Sequence, residues 1–173
     1  MASTAVMAQP SFRTRLRAFQ AIHGGAPDPG FIADLEYLEN RDLDLSVRKG
    51  AMLAFNALLI TVGTHPVSAS PGAPLSVDAA SQPMLTIASL IAVAPFVLSS
   101  AYLLRGLLVG EEFDTEGIEE CAPDTLRTRL MAAFVRSIDV QTGLLRRAVG
   151  ATVAGGVLTV AVWAWILAAK IIG

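Results

Sequence analysis

The chain has 173 residues, of which 53% are hydrophobic and only 16% charged, with a formal net charge of −2. A soluble domain of this size carries about 25% charged residues. The composition therefore excludes an ordinary soluble domain, a disordered segment and a nucleic-acid-binding module, which needs a basic excess. The single cysteine, Cys121, excludes an intrachain disulfide framework and a cysteine-based zinc cluster.

Residues 1–30 form a basic N-terminal arm and linker. Arg13, Arg15 and Arg17 occur with no acidic residue before Asp28, as in organelle transit peptides. Phe12, Leu16 and Phe19 share one helical face, so a short basic helix on the inner membrane surface is the simpler reading. No apolar core of a cleavable signal peptide is visible in this stretch. The breakers between Gly24 and Gly30 close it.

Residues 31–63 read as one helix running into a first membrane span. Leu35, Leu38, Asp42 and Leu45 stand at near-heptad spacing. The charge-free part before the Gly63-Thr64-His65-Pro66 stop is only about 14 residues, and a bilayer core needs ~20. The span lengthens by drawing in residues 43–49, with Arg48 and Lys49 snorkelling to the interface. Residues 64–82, holding Pro66, Pro71 and Pro74, form an external loop. The second span occupies residues 83–105, charge-free up to Arg105 and interrupted only by Pro95.

Residues 106–123 form an acidic loop carrying Glu111, Glu112, Asp114, Glu116, Glu119 and Glu120. From Pro123-Asp124, residues 124–173 predict one long helix, about 45 residues and roughly 70 Å, ending in the third span. Leu126, Leu130, Phe134, Ile138, Gln141 and Leu145 mark its apolar stripe. Arg146 and Arg147 anchor it where it meets the bilayer, and Trp163 and Trp165 anchor it at the far interface. The fold class is thus an all-α integral membrane protein with three transmembrane helices. The first and third extend as long cytoplasmic helices that pair.

Twelve of the thirteen basic residues fall in residues 1–49 and 105–147, the exception being Lys170. The positive-inside rule then places the N-terminus in the cytoplasm and the C-terminus outside, in the periplasm of an inner membrane.

The pattern predicts no catalytic, cofactor-binding or metal-ligating residues. His23 and His65 lie on opposite sides of the membrane in this topology, and no phosphate-binding loop or nucleophile motif occurs. The acidic run lacks the spacing of a calcium loop. Inside the lipid the pattern places no Asp, Glu, Lys or Arg, which argues against a transporter or pump. Helix-contact candidates are Ala88 with Ala92, Gly150 with Ala154, and Ala151 with Gly155, at small-xxx-small spacing. Asn56 is the sharpest candidate, since an amide in mid-span must hydrogen-bond within the chain or between protomers.

The layout resembles the transmembrane domain of Pycsar-type antiphage effectors, small membrane proteins of cyclic-nucleotide defence systems. The resemblance rests on the charged helix feeding the first span (LENRDLDLSVRKGAMLAFNALLI), on Arg105 at the edge of the second, and on the long helix with Arg146 and Arg147. Lys49-Gly50 stands where the family often has Lys-Ala. The resemblance implies a non-enzymatic protein that perturbs membrane integrity when activated, with Asn56 and the small-residue faces as contacts of a homo-oligomer. The alternative reading is a non-catalytic accessory or assembly subunit of a larger membrane complex. In either case the lipid bilayer is the first partner, and nucleic acid is not one.

Overall fold

A computed structural model of the chain describes residues 29–109 and 123–172. The basic arm and the acidic run lie outside the described residues. Helix α1 spans Pro29–Gly63, a one-turn α2 spans His65–Ser68, α3 spans Pro83–Leu108 and α4 spans Pro123–Ile172. No strand occurs among the described residues. The three long helices are each long and apolar enough to cross a membrane.

Each long helix opens on a proline (Pro29, Pro83, Pro123), whose fixed φ suits the first turn and whose missing N–H is no loss there. α1 is 35 residues long and α4 is 50. Helix α1 stops at Gly63, where Pro66 follows within three residues. Thr64 caps that end, its amide and its hydroxyl both donating to the Ile60 carbonyl, at 2.9 and 3.0 Å. The segment between α2 and α3 folds back on itself, with the Val77 amide donating to the Pro66 carbonyl at 2.9 Å. Ahead of α3, Asp78 accepts from the Ser81 hydroxyl at 2.8 Å and the Ala80 amide at 3.2 Å. These donors hold its carboxyl below the usual carboxylate range.

α1 and α4 run parallel, and α3 runs antiparallel between them, packing mainly on α4. The register is regular. Lys49 meets Gly106, Asn56 meets Ser99, and Gly63 faces Val93, so seven residues up α1 match six or seven down α3. Along α1 the residues Leu35, Asp42, Lys49, Asn56 and Gly63 stand seven apart, and each is buried or half-buried. That sustained repeat is the seam of a left-handed coil.

The distribution of polarity is inverted relative to a soluble bundle. Lys49, Asn56, Ser89, Ser99, Gln141 and Thr152 are buried, while Leu58, Ile91, Val97, Val153 and Val160 each expose half or more of their surface. Such a surface is stable against hydrocarbon, where outward leucine and valine cost nothing and inward polar groups must find partners. Near the far end, Val77, Leu85 and Ile166 form an apolar cluster joining the loop to α3 and α4.

Phe96, 1% exposed, lies against Gly155 of α4, so closely that a Cβ there would sit 2.7 Å from its ring. Gly155 is the close-approach residue of the α3–α4 interface. Gly150 and Ala154 point outward, and a Cβ at Gly150 meets nothing within 4 Å. Ala92 is buried and Ala88 half-buried. Gly155→Ala should therefore destabilise the bundle by about 1–3 kcal/mol through overpacking. Gly150→Ala should leave it unchanged or more stable by up to about 1 kcal/mol, through helix propensity alone. Denaturation in detergent micelles followed by circular dichroism separates the two.

Candidate functional site, a polar seam between the helices

Among the described residues, six of the nine buried polar side chains gather in two layers. At 1.5 Å per residue the seven-residue step along α1 sets them roughly 10 Å apart.

The first layer is centred on Lys49, 1% exposed. Its ammonium donates to the Gly106 carbonyl of α3 at 3.0 Å and to Gln141 Oε1 of α4 at 2.6 Å. The other face of the Gln141 amide is also engaged. Its Nε2 donates to Asp42 Oδ1 at 2.8 Å and to the Ser137 hydroxyl at 3.2 Å. Gln141 thus passes the negative end of the chain at Asp42 to the positive end at Lys49, with its own dipole aligned between them. Leu144 closes the layer against Gly106. Gly106 matters here because a Cβ at that position would come within 3.3 Å of the Lys49 stem.

The second layer is centred on Asn56, 0% exposed. Its Nδ2 donates to Ser99 Oγ at 2.8 Å, and its Oδ1 accepts from Thr152 Oγ1 at 2.9 Å. Ser99 and Thr152 lie 2.9 Å apart, and each hydroxyl lies within hydrogen-bond distance of the Ala148 carbonyl, at 2.8 and 3.1 Å. One side chain from each long helix closes a triangle, so the amide, the hydroxyls and the carbonyl are satisfied without water.

The structure thus places the sequence-derived candidates as follows. Lys49, expected to reach out to the interface beside Arg48, turns inward and is enclosed by three helices. Arg48 points outward and pairs with Asp44 one turn earlier, with Nη2 and Oδ2 3.0 Å apart. The reason for the contrast is register: Lys49 occupies the seven-residue seam with Asp42 and Asn56, and Arg48 does not. Asn56, for which the resemblance implied a protomer contact, hydrogen-bonds inside the chain to Ser99 and Thr152. Arg105, Arg146 and Arg147 are exposed. Trp165 is 51% exposed. The Trp163 indole N–H and the Thr159 hydroxyl are buried without a hydrogen-bond partner. At the far end Lys170 donates to the Ala73 carbonyl at 2.7 Å and to the Ser76 hydroxyl at 3.2 Å, clasping the loop to the end of α4.

Gln141, Ser99, Thr152, Asp42 and Gly106 were not singled out as site residues from the sequence. A signal for Lys49 and Asn56 together was present, since the heptad read from Leu35 to Leu45 continues through both. Ser99 on α3 carries no comparable mark, because Ser100 stands beside it and the sequence does not say which of the two faces inward. Among the described residues no group of three histidine, cysteine, aspartate or glutamate side chains is placed to hold a metal ion. Compared with protein-family models, curated proteins and solved structures, the chain matches none.

Two measurements test the layers. Gln141→Leu leaves the ammonium buried with one neutral acceptor and should cost about 2–3 kcal/mol. Lys49→Met removes the buried charge with similar volume and should cost less, within about 1 kcal/mol of the native protein. Equal costs for the two in detergent unfolding would contradict the assigned network. In the second layer, Asn56→Ala and Thr152→Val should be non-additive in a double-mutant cycle, with a coupling energy of about 0.5–1.7 kcal/mol. A coupling near zero would remove the triangle from the account.

Proposed function

We propose that this chain is a small, non-catalytic effector-like protein of the inner membrane that perturbs membrane integrity when activated. The N-terminus lies in the cytoplasm, and the long helices α1 and α4 extend there as a pair. The observation that carries the reading is the Lys49 layer. It joins Asp42 and Ser137 to Lys49 through one side chain, Gln141, and Lys49 in turn holds the Gly106 carbonyl near the end of α3.

An ammonium held by two neutral oxygens is a discriminating contact. Sliding α4 against α1 by one turn, about 5.4 Å, separates Gln141 from Lys49 and strands the charge. The bundle therefore has a sealed arrangement and no gradual series of loosened ones. Once the seam parts, Asn56, Ser99 and Thr152 also lose their partners. Within hydrocarbon they find new ones only in water or in other copies of the chain, and either outcome thins the permeability barrier. A stimulus acting on the cytoplasmic helices reaches the membrane by this route. The layout resembling Pycsar-type effectors supports the same reading and supplies its setting, an infected cell whose growth is halted.

The test is leakage. In vesicles of phosphatidylethanolamine and phosphatidylglycerol loaded with a self-quenching dye, Gln141→Leu should raise basal release about tenfold or more over the native chain, because a cost of about 2 kcal/mol to the sealed state shifts the population by that order. Lys49→Met/Gln141→Leu, which removes the stranded charge, should return release towards the native level. If Gln141→Leu leaks no more than protein-free vesicles at any protein density, the effector reading fails.

One observation favours a second reading, an accessory subunit of a larger membrane complex. On α1, Tyr37 and Leu43 are 70% and 63% exposed although acidic residues flank both. Outside hydrocarbon, apolar side chains of that size suit a protein partner. A partner of fixed stoichiometry co-purifying through Tyr37 and Leu43 would replace the effector reading.

A further inference from the structure

At the charged end, where α3 stops, a groove of about 720 Å³ opens between α3 and α4. Three arginines line it, Arg105 from α3 and Arg129 and Arg136 from α4. None of the three has an ion pair among the described residues. Among the described residues no carboxylate lines this groove; Asp34 and Asp139 line a separate groove, between α1 and α4, that shares only Ala132 and Arg136 with it. Three like charges brought to one concavity repel one another, and an anion between them relieves the repulsion.

The groove has an apolar side as well. Leu108, 83% exposed, and Val140, 44% exposed, stand among the arginines. A soluble anion has no use for them, whereas an amphiphile does. Position points the same way. Arg105 ends the charge-free stretch of α3, and the adjacent Gly106 is level with Gln141 through their shared contact with Lys49. Arg136 lies five residues further along α4, about 7.5 Å, which is within the thickness of a headgroup layer. Arg129 stands about two turns beyond and meets only a headgroup that projects.

We propose that this groove seats the phosphate of an anionic phospholipid headgroup, with Arg105 and Arg136 at the level of the glycerol phosphate and Arg129 reaching a second phosphate where one is present. Leu108 and Val140 take the glycerol and the start of an acyl chain. Guanidinium forks suit this role because they bind phosphate oxygens in pairs. The inference is independent of the effector reading. It requires only that the three helices span a bilayer.

The full chain is reconstituted in nanodiscs of phosphatidylcholine with a minor fraction of cardiolipin, released, and weighed by native mass spectrometry. The native protein should retain cardiolipin in preference to phosphatidylcholine. Each arginine near the surface contributes roughly fivefold. The triple variant Arg105→Gln/Arg129→Gln/Arg136→Gln should therefore retain about a hundredfold less. Arg146→Gln/Arg147→Gln, which removes two exposed cations outside the groove, should lose only the attraction common to any surface cation and retain clearly more cardiolipin than the triple variant. Equal loss in the two variants would reduce the effect to diffuse attraction and overturn the proposal, as would equal retention. All three positions are exposed, and an unchanged unfolding midpoint for the triple variant shows that the fold is intact. In a second arm, lipid-free protein in neutral detergent is titrated with inorganic phosphate and with pyrophosphate. Binding of either as tight as that of cardiolipin would make this a site for a soluble anion and overturn the lipid source.

Discussion

A polar group shielded from water must find its partner inside the protein, and the two polar layers of this bundle answer to that condition. Lys49 and Asn56 sit on the first helix at positions that neither α3 nor α4 could leave unattended. Burying an ammonium costs several kcal/mol unless its donors are met, and here two of the three are met, by a backbone carbonyl and an amide oxygen from two different helices. The helices are thereby fixed in relative height as well as proximity. Dispersion between leucines and valines would hold them together at many heights; the two polar layers select one.

Gln141 has a place that no apolar residue could fill. Its amide faces two ways, oxygen to Lys49 and nitrogen to Asp42 and Ser137. A direct Asp42–Lys49 bridge would tie α1 to itself one heptad apart and leave α4 out. Routing the attraction through an amide of α4 makes the long helix a necessary member. The α3 connection is made differently, by the carbonyl of Gly106, a residue small enough to let the lysine stem lie alongside. Further up, Gly155 admits Phe96 for the same steric reason.

The long helices were legible in the sequence because uncharged runs, prolines and glycines leave strong marks there. Three charge-free windows, the Pro123-Asp124 start and the Gly63–Pro66 stop are enough to recover three apolar helices. What the runs hide is rotation. Lys49 at the edge of a short span reads as a snorkelling anchor when charge is weighed against depth, and as a seam residue when the heptad is followed from Leu35 to Gly63. The stripe on α4 shows the same limit. Leu145 and Ile138 read as its members, yet they are half-buried, and Leu144 and Ser137 are the buried pair. Two residues adjacent in sequence lie about 100° apart on a helix, and in a window where almost every residue is apolar, composition does not say which one faces inward. Ser99 and Thr152 were visible as polar residues, but their meeting with Asn56 depends on register between helices far apart in sequence.

The layers also impose an order on how the chain is made. Synthesis delivers α1 first, with Lys49 and Asn56 facing whatever surrounds a lone helix. When α3 follows, Gly106 and Ser99 arrive together, one for each. Only α4, the last to emerge, brings Gln141 and Thr152, and with them the acceptor for the second lysine donor and the donor for the asparagine oxygen. Until then the growing protein holds half-satisfied polar groups, and its first two long helices have reason to stay together. The 50-residue final helix is, in this sense, the step that closes the bundle.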